Sequence, residues 1–253
     1  MKKLFQFGLL LAAFFALLCR AGAEERSTET RVIDARVVRI KLDGVIDLKL
    51  RQGDTPSLVI TSDKRFTGKI NASQTGDTLH LDTEGQGFKL NHSSVHAELT
   101  LPMLREVVSE GVGTTDISGF SGDELELTLD GAGSMKVAGD FKTLKANLGG
   151  VGSMHLWVSE NETVDLDLRG AGYITLGGRS KMLHATLGGL GGLNAQQLQA
   201  ESINLELSGL GNATVTAKTN ATLSLSGLGS VTVYGKPLNR NVSVDGLGKV
   251  SWK

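Results

Sequence analysis

Apolar and polar residues alternate along most of this chain. Val38, Ile40 and Leu42 alternate with Arg39, Lys41 and Asp43, and Ile46, Leu48 and Leu50 with Asp47 and Lys49. Period two sends successive side chains to opposite faces, which predicts strands with one buried face. Gly44 separates these two runs. Further strands are predicted over 58–61, 78–82 and 95–101, with turns at Gln52-Gly53-Asp54 and Gly76-Asp77 and a loop over 84–94. Pro102 should end the last of these strands, since proline cannot donate to a ladder. No helix is predicted after the leader.

From Leu104 onward a Gly-x-Gly triplet punctuates the alternation. Its glycines are Gly111 and Gly113, Gly131 and Gly133, Gly150 and Gly152, Gly170 and Gly172, Gly189 and Gly191, Gly209 and Gly211, Gly227 and Gly229, Gly246 and Gly248, so first glycines recur every 18 to 20 residues. Counted from the first glycine, positions −6, −4 and −2 are apolar, as in Leu125, Leu127 and Leu129, then Leu144, Ala146 and Leu148. Positions +4 and +6 are apolar again, as in Met135 and Val137, then Met154 and Leu156. Each repeat therefore reads as strand, glycine corner, strand and looser turn. A fixed period of this size marks a solenoid, whose units bury their apolar faces only by stacking. The predicted fold is all-β, a right-handed parallel β-helix (β-solenoid) with about 19–20 residues per repeat. If alternation runs through the triplet, both glycines fall at inward positions. There the backbone of one coil must approach the next, and a Cβ would obstruct it.

Composition narrows the function classes. The chain has 253 residues and a formal net charge of −1, which gives no footprint for nucleic acid or an anionic membrane. Aromatic residues make up 5%, which argues against a stacking platform for sugars or bases. Lys2 and Lys3, an apolar run over 9–18 and Ala21-Gly22-Ala23 form a signal peptide over 1–23, with Cys19 removed along with it. The expected organisation is then a disordered linker over 24–30, N-terminal strands of the β-helix domain over 31–110, and the Gly-x-Gly repeat region of the same domain over 111–253. No later segment is apolar enough for a membrane helix. The expected location is periplasmic, cell-surface or secreted.

Candidate chemistry is sparse. The triplet middle residues are Val112, Ala132, Val151, Ala171, Leu190, Leu210, Leu228 and Leu247. The favoured expectation is that the corner turns them inward as a further core column. Strict alternation would instead point them outward as an apolar stripe, with Leu190, Leu210, Leu228 and Leu247 as its interface. Position −5 runs Glu106, Glu126, Lys145, Asp165, His184, Asn204, Thr222, Asn241, a polar ladder in which neighbours avoid like charges through its middle. Asp165 and Asp167 share an outward face, with Glu126 and Glu206 on nearby coils, so a polysaccharide-active enzyme using surface carboxylates is the alternative reading. His80, His92, His96, His155 and His184 have no metal-site spacing. The triplets are not phosphate loops, because no helix follows them. No catalytic residue, metal or cofactor is expected. The strand edge at Trp252 could pair with a second copy.

The run Leu42-Asp43-Gly44-Val45-Ile46-Asp47-Leu48 with Gln52-Gly53-Asp54 after it, the segment Glu98-Leu99-Thr100-Leu101-Pro102-Met103-Leu104 and the train of glycine corners resemble the head GIN domain family, labelled as auto-transporter adhesins. The resemblance covers about residues 31–253 and implies a β-helix-like fold in exported bacterial proteins, without catalytic residues. The expected function is non-catalytic: an adhesin-like binding or structural protein of the bacterial cell envelope, with an envelope protein or glycan as partner.

Overall fold

The computed structural model describes residues 26–63, 70–83 and 95–253. The predicted leader, the loop over 84–94 and His92 lie outside them. The described residues are built from strands and turns, with no helix among them. Together they form a parallel β-solenoid of about 7 turns.

The repeat region supplies its body. Strands β9 (Val112–Leu129), β10 (Ala132–Leu148), β11 (Val151–Leu168), β12 (Ala171–Leu187), β13 (Leu190–Leu207) and β14 (Leu210–Leu225) each run nearly the whole way round one coil. Each pairs in parallel with the next, triplet over triplet, as in Gly133 on Gly113 and Gly152 on Gly133. The looser turn is therefore taken up within long, bent strands rather than breaking them. Unequal coil lengths are absorbed at bulges. Where β9 meets β10 the register shifts between Ala138 and Gly139, and the surplus residue is Gly119, at φ +80°. Glycine accepts that left-handed backbone without the Cβ penalty other residues carry.

The core is a set of columns. Leu125, Leu144, Val164, Leu183, Ile203 and Ala221 stack at −6, and all are buried. Each large aliphatic member contributes roughly 1.5–3 kcal/mol of apolar burial before conformational entropy is subtracted. Phe120 and Phe141 fill the far side of the first coils. Among the described residues Ser62, Ser109, Thr115, Asn161 and Ser180 are the polar side chains buried with the core. Buried Asn161 donates from Nδ2 to the Phe141 carbonyl at 2.8 Å, and its Oδ1 lies 3.2 Å from the Ser180 hydroxyl.

The N-terminal strands begin the stack. They are β1 (Arg26–Val32), β2 (Arg39–Leu42), β3 (Ile46–Gln52), β4 (Ser57–Asp63), β5 (Ile70–Thr75), β6 (Thr78–Thr83), β7 (Val95–Leu101) and β8 (Glu106–Ser109). β2 lies in parallel between β6 and β8, and β3 in parallel between β7 and β9. Beyond them the hand of pairing changes. β4 runs antiparallel to β7, β1 antiparallel to β4, and β5 antiparallel to β6. Of the span 24–30 expected to be a disordered linker, residues 26–30 belong to β1, which pairs along its full length with β4; residues 24 and 25 lie outside the described residues. The segment lacks an apolar period because it covers a sheet edge through its backbone and buries little of itself. At the other end β15 (Leu228–Tyr234), β16 (Asn239–Val244) and β17 (Lys249–Trp252) complete the stack, β15 and β16 on β14, and β17 on β15.

Candidate functional site

The glycine corners are the structural root of the site. A Cβ on Gly131 would collide with the Gly111 carbonyl oxygen, one on Gly150 with that of Gly131, and one on Gly170 with that of Gly150. The column continues through Gly189, Gly209 and Gly227, and begins at Gly111 against the Gly44 carbonyl. The second glycines stack likewise: Gly113 on Ile46, Gly133 on Gly113, Gly152 on Gly133, Gly172 on Gly152, Gly191 on Gly172, Gly211 on Gly191 and Gly229 on Gly211. At the last corner Gly246 still faces the Gly227 carbonyl, whereas Gly248 faces the Leu225 side chain. Inside the corner, backbone meets backbone and no side chain fits between.

That packing settles the middle residues against the favoured expectation. They do not add a core column. Alternation continues through the triplet, the glycines take the inward positions, and the residue between them points to solvent. Leu190, Leu210 and Leu228 are 56%, 49% and 52% exposed, and Leu247 is more open still. Val151 extends the line toward the first coils, where Ala132 and Ala171 make it lower. Each leucine amide is spent on the coil below: Leu190 donates to Gly170 at 3.0 Å, Leu210 to Gly189 at 3.1 Å and Leu228 to Gly209 at 3.2 Å. The ridge can therefore bind only through its side chains. Gly188, Ser208 and Ser226 border the leucines, and a shallow groove of about 620 Å³, with Arg169 at one end, runs alongside.

The −5 ladder is in register from coil to coil. Glu106 stacks on Glu126, Glu126 on Lys145, Lys145 on Asp165 and Asp165 on His184. The like-charged pair at its start is flanked by Arg39, 3.5 Å from Glu106, and by Lys145 beside Glu126. Lys145 pairs with Glu124, whose hydrogen bond and charge raise its pKa. Lys142 does the same with Asp123 at 2.7 Å, the hydrogen bond raising the lysine and lowering the carboxyl. Asp165 and Asp167 do share a face. Asp167 is held by Arg169 at 2.6 Å, and Asp165 lies between Lys145 and His184. Glu126 and Glu206 each stand two coils away from these two acids, across Lys145 and Thr186 respectively. His96 lies 3.5 Å from Asp47, whose carboxylate accepts the Thr114 amide. No three His, Cys, Asp or Glu residues among those described are grouped to hold a metal. No helix among them is long and apolar enough to cross a membrane.

A second surface was not anticipated. On the face after the corner, Trp157 pairs across the sheet with Gly177, and Tyr173 with Gly192. Both glycines are at outward positions yet are buried. A Cβ on Gly177 would meet the Trp157 ring, with Cε3 at 2.6 Å, and one on Gly192 would meet Tyr173 Cε2 at 3.0 Å. Each ring thus reaches over a glycine of the next coil, where a Cβ would collide with it, and each residue stays about half exposed. An outward aromatic followed one repeat later by an outward glycine is the sequence signal for this, but it requires the register.

The sequence profile described as "Putative auto-transporter adhesin, head GIN domain" matches residues 38–157 and 152–237. No curated protein matches. Crystal structures show the same fold. A "putative adhesin" from Parabacteroides merdae has a TM-score of 0.79 at 22% identity, covering 92% of this chain and 98% of its own. A "putative adhesin" from Bacteroides fragilis has 0.67 at 20%, with 91% and 98% covered. A "Putative lipid binding protein" from Parabacteroides distasonis has 0.74 at 20%, with 90% and 98% covered. With matched segments spanning most of its length, this chain belongs to the head GIN domain family.

Proposed function

We propose that this protein is an exported, non-catalytic binding module of the bacterial cell envelope, and that the leucine ridge is its contact surface for an envelope protein. One observation carries the reading: Leu190, Leu210 and Leu228 stand about half exposed in a line on a rigid corner. Unpartnered apolar surface in such a row costs solubility unless something covers it. The names of the similar structures favour binding over catalysis, and the leader over 1–23 favours export. The alternative, a polysaccharide-active enzyme, rests on Asp165 and Asp167, and these are engaged with the ladder and with Arg169.

The test is the combined substitution Leu190→Asn, Leu210→Asn and Leu228→Asn in the full chain, expressed in its native cell. These side chains point to solvent, so the melting temperature should move little. The variant should lose association with the envelope fraction. Equal distribution of variant and wild type between fractions would refute the ridge as the contact. A finer proposal concerns self-association through the C-terminal edge, where all six residues of β16 are exposed.

A further inference from the structure

The flat face that follows the glycine corner carries a second, independent site. We infer that Trp157 and Tyr173 form a stacking platform for an uncharged, extended glycan. The two rings are exposed by 52% and 47%. Both reach toward the next coil, one over Gly177 and the other over Gly192, and the missing Cβ at each glycine is what makes room for them. A ring held this way has little freedom left to lose on binding, and its open face suits the apolar C–H face of a pyranose.

The register sets their spacing. Tyr173 is four residues before Gly177 on the same strand, and Trp157 sits beside Gly177 on the coil below. At about 3.3 Å per residue and about 4.8 Å between strands, the rings are separated by roughly 14 Å along a diagonal. Several linked sugars, rather than one, span that distance. Between the rings run His155, Thr175 and Asn194, stacked in register at position +5. Ser153 lies beside Tyr173 on the coil below. These side chains offer hydroxyl, amide and imidazole groups that donate and accept, which is what sugar hydroxyls need.

Charge selects the ligand class. Among the outward residues of this patch, Ser153, His155, Thr175, Asn194 and the two aromatics, none is Asp, Glu, Lys or Arg. Charged neighbours border it: Lys136 stacks beside His155 on the coil below, and Arg179, two residues after Gly177, is paired with Glu160 at 3.5 Å. A nucleic acid or an acidic polysaccharide would find no row of cations along the line, only Lys136 at its border and an Arg179 already paired with Glu160. A neutral glycan loses nothing by that. The low overall aromatic content does not weigh against the site, because two rings placed one coil apart are enough to define a line.

The experiment uses the full chain carrying Trp252→Phe, which leaves Trp157 as the reporter outside the leader. Its fluorescence is titrated with neutral linear hexasaccharides of β-linked glucose, N-acetylglucosamine, xylose and mannose. The expected result is a saturable change with at least one of them, weakened by about ten-fold or more by Tyr173→Ala, a loss within the range of a stacking contact. Trp157→Ala, followed by calorimetry, should weaken the same ligand to a similar degree. The Leu190→Asn, Leu210→Asn, Leu228→Asn variant should bind it normally, so failure of the ridge and failure of the platform are told apart. No response to any of the four glycans overturns the inference. So does a response that both aromatic substitutions leave unchanged, or one given only by neutral phosphatidylcholine vesicles.

Discussion

An alanine methyl at Gly150 would run into the Gly131 carbonyl and come within 2.6 Å of the Asp130 carbonyl carbon. Those atoms are backbone already committed to the ladder, so they cannot swing aside as a side chain tip would. Relief requires the coils to separate locally, which weakens hydrogen bonds on both. Gly150→Ala should therefore destabilise by about 2–4 kcal/mol, at or above the upper range for overpacked cores. Gly188→Ala, one residue before a triplet, is the control. Its new methyl would meet only Ser208 Oγ at 3.6 Å and the Leu168 carbonyl at 4.0 Å, at an ordinary φ. It should change stability by less than about 0.5 kcal/mol. Urea denaturation of both variants checks the pair, and equal effects would show that coil contact is not what the triplet glycine protects. The choice of glycine is visible in the sequence at this scale. The outward aim of Leu210 is not, because it depends on Gly209 and Gly211 claiming the interior on either side, against the Gly189 and Gly191 carbonyls of the coil below.

At the scale of the strand, most of the assignment follows from period two. Residues 123–129 of β9 and 143–148 of β10 could be placed on their faces from alternation alone, and Leu125, Leu127, Leu144 and Ala146 are buried. The pattern was silent where the polar group goes inward. Asn161 on β11 is 5% exposed, and its amide bridges the carbonyl of Phe141 on β10 and the hydroxyl of Ser180 on β12. It ties three coils where the register shifts between Val158 and Asn161. Asn161→Ala removes the amide donor from the buried Phe141 carbonyl, while the Ser180 hydroxyl keeps the Met182 carbonyl at 2.8 Å. A cost of about 1–3 kcal/mol is expected, the usual penalty for unsatisfied buried polar groups. Faster amide exchange at residues 140–142 and 180–182 should accompany it. A stability unchanged within error would mean that water replaces the amide without loss. β1 was misread at this scale for the converse reason. Its residues pair through backbone to β4 and show no apolar face, so nothing in Arg26–Val32 distinguishes an edge-covering strand from a tail.

The whole molecule has two unlike ends. Its N-terminal end closes with antiparallel strands, β1 on β4 and β5 on β6, and β1 carries Glu29 and Arg31. Charges of this kind discourage strand addition. At the other end Val242 and Val244, in line with buried Leu223 and Leu225, are 40% and 42% exposed, and β16 pairs only with β14 among the described strands. If copies of this chain meet there, the contact should be end to end and closed by a two-fold axis, so that the same exposed valines face one another. Sedimentation of the wild type should then show a concentration-dependent dimer, and Val242→Lys with Val244→Lys should return it to monomer. A wild type that stays monomeric at high concentration would remove this proposal and leave the ridge and the platform untouched.

The sequence by itself determined the coil. Its period of 18 to 20 residues, its two-residue alternation and its paired glycines are local, repeated signals, and together they specify strands, inner faces and stacking register. Only the tertiary structure decided which way the ridge points, how the first coil is covered, and that two exposed rings reach over two glycines. Each of these depends on what the neighbouring coil presents at one position. A chain read in order does not state that until the register between coils is known.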